Sequence, residues 1–159
     1  VAPLTPMLHR VARRLTQREE DAEDLVQQTL IRAYRAWARF DGEFLRSWLI
    51  AILRNEHRNH QRTRARQPAE VELNDDEPTA DLFWNEALWR MEADRLLVEL
   101  KNLPEAYRIA IQLCDVEEFS YAEAAQALDL PVGTIRSRLN RGRIMLRRLL
   151  DPTPGASHD

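Results

Sequence analysis

The stretch from Phe119 to Leu150 constrains the fold more than any other part of the chain, because it reads as two helices joined by a tight turn. Ser120 and Glu123 have the spacing of a capping box, which satisfies free N–H groups at the start of a helix. We predict that this helix runs from about Tyr121 to Leu128. After a two-residue turn, Pro131 opens a second helix at a position where its missing N–H costs nothing.

The second helix has one apolar and one polar face. The apolar face holds Val132, Ile135, Leu139, Gly142 and Leu146. The polar face holds Gly133, Thr134, Arg136, Ser137, Asn140 and Arg141, with Arg138 on its flank. These polar side chains are of the types that contact base edges and phosphates in a major groove, so we interpret this helix as the recognition helix of a helix-turn-helix. The alternative is a solvated basic face on a core helix.

The overall composition favours an all-α protein. The chain has 159 residues with only 4 glycines, and no strand-like alternation recurs. Its net charge of −3 is unevenly distributed: residues 1–67 carry 13 basic and 8 acidic side chains, whereas residues 68–104 carry 3 and 10. Residues 105–159 carry 7 basic and 8 acidic side chains. The charge is segregated along the chain, so the negative total does not exclude nucleic-acid binding.

Three helices are predicted before the acidic segment. The first follows Thr5 and Pro6, and the second is capped by Asp21 and ends near Trp37. The predicted buried positions of these two helices are Leu8, Val11, Leu15, Ala22, Leu25 or Val26, Thr29 or Leu30, Ala33 and Trp37. The outer face of the second helix carries both acidic and basic side chains. A face of this composition is usually exposed to solvent.

The third helix is predicted from about Leu45 to Arg64, after a Phe40-Asp41-Gly42 loop in which glycine permits positive φ. Leu45, Trp48, Leu49 and Ile52 face inward. Beyond Ile52 the helix stops being amphipathic and becomes basic. This predicts a second positively charged surface for a phosphate backbone. Its basic residues and those just after it are Arg54, His57, Arg58, His60, Arg62, Arg64 and Arg66.

Metal, disulfide and membrane functions have little support in the sequence. His57 and His60 have helical spacing, but no third ligand is evident, so we interpret them as facing solvent or phosphate. Cys114 is the single cysteine, which excludes an internal disulfide and a thiolate zinc cluster. No span or signal peptide is recognisable. We therefore expect a cytoplasmic protein without metal or cofactor.

The domain organisation follows from composition. We predict a first domain over residues 1–66, an acidic, proline-containing linker over 67–81, a second domain over 82–150 and a frayed tail over 151–159. Within the second domain, residues 82–103 are predicted to be helical, as one helix or as two pieces, and they contain Trp84 and Trp89. Pro104 starts a further helix. The helix that Pro104 starts should pack behind the helix-turn-helix at 120–148.

Two stretches resemble one family, the extracytoplasmic-function sigma factors of bacterial RNA polymerase. AEDLVQQTLIRAY at 22–34, followed by FDG, SWL and ILRN, resembles their region 2. LPEAYRIAIQLCDVEEFSYAEAAQALDLPVGTIRSRLNRGR at 103–143 resembles their region 4. The resemblance implies two small helical domains, a region 2 bundle and a region 4 helix-turn-helix, joined by a linker that crosses the polymerase.

The resemblance also implies roles for individual residues. Docking on the clamp of the largest polymerase subunit would use Asp24, Leu25, Gln27 and Gln28. The minus-ten element, including a flipped base, would contact Phe40, Asp41, Gly42, Arg54, Asn55, Arg58 and Arg62. The minus-35 element would contact Thr134, Arg136, Ser137, Arg138, Asn140 and Arg141. The loop before Trp48 lacks a serine pair that many members carry, and Gln28 replaces a common glutamate.

The leading hypothesis is a sigma factor that directs core RNA polymerase to promoter DNA, contacts its clamp and flap, and is restrained by an anti-sigma factor until a stress stimulus arrives. One alternative is a sigma-like decoy that binds only the anti-sigma factor, which would have no need of an arginine-rich reading face. Another is a simple helix-turn-helix regulator, which would leave the 22–34 match unexplained. An enzyme is disfavoured because no phosphate-binding glycine loop or nucleophile and base pair is evident.

Overall fold

A computed structural model describes residues 2–63 and 93–150, and within these ranges the chain forms seven α-helices and no strand. The helices are α1 Thr5–Thr16, α2 Glu19–Ala36, α3 Leu45–Thr63, α4 Ala93–Glu99, α5 Glu105–Ile111, α6 Tyr121–Leu128 and α7 Val132–Leu150. The all-α prediction is confirmed. The predicted linker, the tail and the two tryptophans at 84 and 89 lie outside the described residues.

The first two helices form an antiparallel pair whose apolar faces meet, as their spacing predicted. Leu8, Val11 and Leu15 of α1 are buried. The prediction that Asp21 caps α2 is wrong, because α2 begins at Glu19 and no side chain caps it. The first turn instead carries three acidic residues, whose charge favours the positive end of the helix dipole.

The end of α2 differs from the prediction at Trp37. The sequence left open whether Leu25 or Val26 faces the core, and both are buried. Thr29 is buried as well. After Ala36 the backbone tightens into a 3₁₀ turn, Trp37–Arg39. A 3₁₀ turn has fewer residues per revolution, so Trp37 leaves the buried stripe and is 48% exposed.

The helix-turn-helix is confirmed in detail. Glu123 N–H donates to Ser120 Oγ and Ser120 N–H donates to a carboxylate oxygen of Glu123, both over 3.1 Å. Asp129 ends α6 in the left-handed region, with φ of 55°. Ile135, Leu139 and Leu146 of α7 are buried, but Val132, predicted to face inward, is 44% exposed because it is the first residue of α7.

The segment between α5 and α6 supports α7 from behind. After Ile111 the helix widens into a π turn, Gln112–Val116. Asp115 on this turn accepts two hydrogen bonds from Arg143 of α7, over 3.0 and 2.6 Å. Leu96 and Leu100 of the α4 segment join Leu139 and Leu146 in a hydrophobic cluster. The predicted packing of the Pro104 helix behind the helix-turn-helix is confirmed.

The two halves of the chain pack directly against each other. Helix α3 lies along α6, and α1 contacts α5 and the π turn. One hydrophobic cluster includes Leu49 and Ile50 of α3 together with Ala124 and Leu128 of α6. The sequence suggested two domains joined by a tether, whereas the described residues share a core across that boundary.

The close approach of α5 and α7 at Gly142 yields a stability prediction. A Cβ at residue 142 would lie 2.9 Å from Ile111 Cδ1 and 3.1 Å from Tyr107 Cβ, whereas one at Gly133 would meet nothing within 4 Å. We expect Gly142→Ala to be less stable than Gly133→Ala by roughly 1–3 kcal/mol, because both gain helix propensity but only the first is overpacked. Urea unfolding of the two variants measures the difference, and equal midpoints would contradict it.

Candidate nucleic-acid interface

The polar side of α7 is only partly exposed. Arg136 is exposed, and its guanidinium lies 5.9 Å from the centre of the Tyr121 ring. Thr134, Arg138 and Arg141 are half-buried, and Ser137 and Asn140 are buried. The structure therefore presents Arg136 most openly among the six residues that the sequence predicted for the minus-35 element.

A basic groove of about 550 Å³ lies between the end of α2 and the C-terminal half of α3. Three of the predicted minus-ten residues, Asn55, Arg58 and Arg62, line it. The sequence prediction missed three further arginines that the end of α2 and the 3₁₀ turn contribute, Arg32, Arg35 and Arg39. They recur every three or four residues from 32 to 39, a helical spacing that could have revealed them.

The groove contains one buried carboxylate. Glu56 is 4% exposed and pairs with Arg32 across the α2–α3 contact. This pair links the two helices that line the groove. Arg35, Arg39, Arg58 and Arg62 keep exposed side chains there, which leaves the groove positively charged.

Beside the basic groove lies a smaller cavity of about 180 Å³ at the loop after α2. Phe40 and Asp41, two of the residues predicted to receive a flipped base, line it together with Trp48. The aromatic rings contact each other at tilted angles, with centres 5.4 Å apart for Trp37 and Phe40 and 4.8 Å apart for Phe40 and Trp48. We call this cavity the loop pocket.

The loop around this pocket is shaped by two local features. Asp41 accepts a hydrogen bond from Glu43 N–H over 2.9 Å, and Gly42 has φ of +89°, which a residue with a Cβ adopts only under strain. Asn55 was predicted to share the base site, but it lines the basic groove and not the loop pocket. Gln126 of α6 lies on the rim of the loop pocket.

Arg54 is separated from the other predicted minus-ten residues. Its Nη1 donates to the Leu128 carbonyl oxygen at the end of α6 over 2.7 Å. Burial, with a smaller contribution from the charge of Arg58, lowers the pKa of Arg54 to about 10. In this arrangement Arg54 faces the second half of the chain and not the basic groove.

The outer face of α2 is partly as predicted. Asp24, Gln27 and Gln28 are exposed, but Leu25 is 1% exposed and belongs to the core, so it offers no docking surface. The sequence prediction missed the apolar continuation of this face, where Ile31 is 42% and Tyr34 85% exposed. Their helical register with the three polar residues was visible in the sequence.

The two histidines of α3 have different environments. His60 is exposed, but His57, predicted to face solvent or phosphate, is buried with its Nε2 3.0 Å from Glu105 Oε1. The hydrogen bond with His57 lowers the pKa of Glu105. Within residues 2–63 and 93–150, no three side chains of histidine, cysteine or acidic type are grouped as a metal would require.

Over the described residues the chain is helical and combines a helix-turn-helix with a basic groove, which is typical of DNA-binding proteins. Family comparison is more specific: sigma-70 region 2 matches residues 1–67, and sigma-70 region 4 matches residues 93–146. The ECF RNA polymerase sigma-E factor of Haemophilus influenzae is 36% identical over 144 residues, which cover 83% of this chain and 76% of that protein. This chain belongs to the extracytoplasmic-function (ECF) sigma factors of RNA polymerase.

Other relatives agree with this assignment. The ECF sigma factor SigE of Mycolicibacterium smegmatis is 35% identical over 149 residues, which are 90% of this chain but only 57% of that protein. Among solved structures, RpoE of Bartonella quintana, bound to the anti-sigma factor NepR, has a TM-score of 0.71 and 30% identity. That match covers 94% of this chain and 92% of RpoE, so it includes both halves.

A second solved structure, CnrH in complex with the cytosolic domain of CnrY, has a TM-score of 0.69 and 30% identity. The match covers 96% of this chain and 86% of CnrH. In the part of this chain that the structure describes, no helix is both long and apolar enough to cross a bilayer.

The single cysteine yields a prediction about thiol reactivity. Burial, with the charge of Asp115, raises the pKa of Cys114 from 9.0 to about 12, so the thiol stays protonated. Because the thiolate is the reactive form, we expect alkylation by iodoacetamide at about pH 8 to be roughly a thousandfold slower than in denaturant. Mass spectrometry of timed samples measures both rates, and a difference below about tenfold would show that the thiol is accessible and ionised.

Proposed function

We propose that this chain gives core RNA polymerase its choice of promoter, reading a minus-35 element with α7 and a minus-ten element with α3 and the preceding loop. The observation that carries this proposal is the aromatic loop pocket directly beside a groove that holds five arginines. The protein supplies binding energy and no chemistry of its own, and it acts in the cytoplasm, where the polymerase works.

The loop pocket suits a base that has left the duplex. A base can be read on its pairing edge only after it unstacks, at a cost of a few kcal/mol that aromatic stacking can offset by about 1–3 kcal/mol. Phe40 and Trp48 provide aromatic surface and Asp41 lines the pocket, while Gly42 shapes the loop through its positive φ. Asn55, Arg58 and Arg62 then hold the adjoining phosphates in the basic groove.

The minus-35 element is assigned to α7. Arg136 is exposed at the N-terminal end of the helix, where a recognition helix contacts bases, and a bidentate arginine contact discriminates by about 1–3 kcal/mol. Thr134, Arg138 and Arg141 would add contacts at the sides. Ser137 and Asn140 are buried, so they would contact DNA only after the chain rearranges.

The polymerase clamp is assigned to the outer face of α2. Asp24, Gln27 and Gln28 provide hydrogen bonds, and Ile31 and Tyr34 add an exposed apolar strip beside them. Aromatic residues with surrounding polar groups are typical anchors of protein interfaces. The polymerase flap would contact the second half of the chain.

An anti-sigma factor is the second proposed partner. Support comes from RpoE and CnrH, whose structures are complexes with NepR and with the cytosolic domain of CnrY. A decoy that binds only such a factor remains the alternative, and the five arginines of the basic groove argue against it because a decoy gains nothing from a DNA-binding surface.

The direct test is transcription. We expect the chain, mixed with core polymerase and a genomic promoter library, to start transcripts at defined positions that core polymerase alone does not use. A decoy or a simple helix-turn-helix regulator would produce no such starts. Binding to core polymerase without any promoter-dependent initiation would reject the proposal in favour of the decoy.

Charge reversal on α7 tests whether promoter recognition and polymerase binding use different surfaces. We expect Arg136→Glu with Arg141→Glu to abolish promoter selection while binding to core polymerase, measured by gel filtration, stays unchanged. Each lost bidentate contact should weaken promoter binding by about 1–3 kcal/mol. Arg147→Glu with Arg148→Glu, on the last turn of the same helix, is the matched control and should keep selection.

A further inference from the structure

Phe44 combines a bulky side chain with a backbone conformation that such residues rarely adopt. The loop of residues 40–44 connects the 3₁₀ turn after α2 to α3, and its φ is positive at two positions, +89° at Gly42 and +54° at Phe44. Glycine adopts this conformation at little cost, because it has no Cβ. A phenylalanine is strained in the same conformation, so the short loop holds Phe44 in an unfavourable backbone state.

Phe44 is also an unfavourable residue for the start of a helix. Its carbonyl oxygen accepts a hydrogen bond from Trp48 N–H over 2.9 Å, and α3 begins at the next residue, so Phe44 occupies the N-cap position. Serine, threonine, asparagine and aspartate are favoured there, because a side-chain oxygen can accept from the free N–H groups of the first turn. A phenyl ring has no such acceptor. Asparagine would suit both the positive φ and the cap better than phenylalanine does.

Burial in the core does not compensate for these two costs. Phe44 is 45% exposed and belongs to neither of the two hydrophobic clusters, whereas Leu49, further along α3, is fully buried. Trp37, Phe40 and Trp48 contact one another, but in the described part of the chain the Phe44 ring contacts no other aromatic ring. The Phe44 ring is therefore not used for stacking within those residues.

The location of Phe44 suggests what the strained ring is for. Phe44 lines the loop pocket together with Phe40 and Trp48. Arg39 lines both the loop pocket and the basic groove, so a strand whose phosphates lie in the groove can place a base in the pocket. Residues that break several local rules without a gain in packing are expected at functional sites, because elsewhere nothing maintains them.

We infer that Phe44 is a stacking residue of the loop pocket, and that its strained backbone presents an aromatic face to an unpaired base. Every base has a π-face, so such a contact adds affinity for bases of any sequence. A glycine at this position would relieve the strain but would remove one aromatic ring from the pocket. The inference rests on the proposed function, because it adds a contact to the site that the proposed function assigns to a flipped base.

The experiment measures how tightly the full chain, without polymerase, binds single strands of about 12 nucleotides at low salt. Fluorescence anisotropy gives the affinities. The probes are oligo-dA, oligo-dC and oligo-dT, and a strand of stable abasic units with the same length and charge. Phosphate contacts contribute to the binding of every probe, whereas base stacking contributes only to the three homopolymers. The ratio of homopolymer affinity to abasic affinity therefore isolates the contribution of the bases.

Three variants of Phe44 separate the ring from the strain. Phe44→Gly removes both, Phe44→Leu keeps an apolar side chain without an aromatic face, and Phe44→Tyr keeps the ring. Gln17→Gly is the matched control. Gln17 also has a positive φ, of +62°, but it ends α1 and lines neither the loop pocket nor the basic groove. This control relieves the same kind of strain away from the proposed site.

We expect Phe44→Gly and Phe44→Leu to bind each homopolymer at least about threefold more weakly than the wild-type chain, with unchanged affinity for the abasic strand. Phe44→Tyr and Gln17→Gly should keep the wild-type affinities for all four probes. Because glycine relieves the strain at position 44, Phe44→Gly should unfold at a urea concentration no lower than that of the wild-type chain.

Several results would overturn the inference. Phe44→Gly or Phe44→Leu could bind the homopolymers as tightly as the wild-type chain, or could lose affinity equally for the homopolymers and the abasic strand. A lower urea midpoint for Phe44→Gly would show that the ring belongs to the fold. If the wild-type chain itself binds homopolymers no more tightly than the abasic strand, the base site of the proposed function fails as well, so the two failures are distinguishable.

Discussion

The contact of α3 with α6 is the interaction on which the rest of the arrangement depends. It combines a shared apolar cluster, to which Ile50 and Leu128 belong, with charge-assisted hydrogen bonds from Arg46 at one end and Arg54 towards the other. The apolar part holds the two halves together without directional preference, and the hydrogen bonds fix their register. Arg54, at this contact, is the residue among those assigned to DNA whose side chain the contact holds directly.

Arginine has three distinct roles in the described residues. Arg143 joins α7 to the π turn and so positions the recognition helix within its own half. Arg10 and Arg46 join the two halves. The exposed arginines of the basic groove, such as Arg58, remain for an external anion. Sequence alone cannot separate these roles, because the three groups have the same chemistry and differ only in which carboxylate or carbonyl the fold brings near.

Local rules predicted most of the fold. The capping box at Ser120, the end of α6 before Pro131 and the buried stripes of α1 and α7 depend on residues close in sequence, so they could be read directly. The family resemblance named Phe40 and Asp41, which line the loop pocket, but it also named Gly42 and Asn55, which do not, and the role of the pocket stays a prediction. The burial of His57 against Glu105 was not, because that pair joins positions 48 residues apart through packing that no periodicity encodes.

The shared hydrophobic cluster also determines how stable the chain is when α6 separates from α3. Moving α6 away from α3 brings Leu49, Ile50, Ala124 and Leu128 into water, and exposed apolar surface of this kind promotes association and recognition by proteases. An opened chain that found no polymerase would therefore be short-lived. The burial of one apolar cluster therefore ties the lifetime of an opened chain to how soon that surface is covered again.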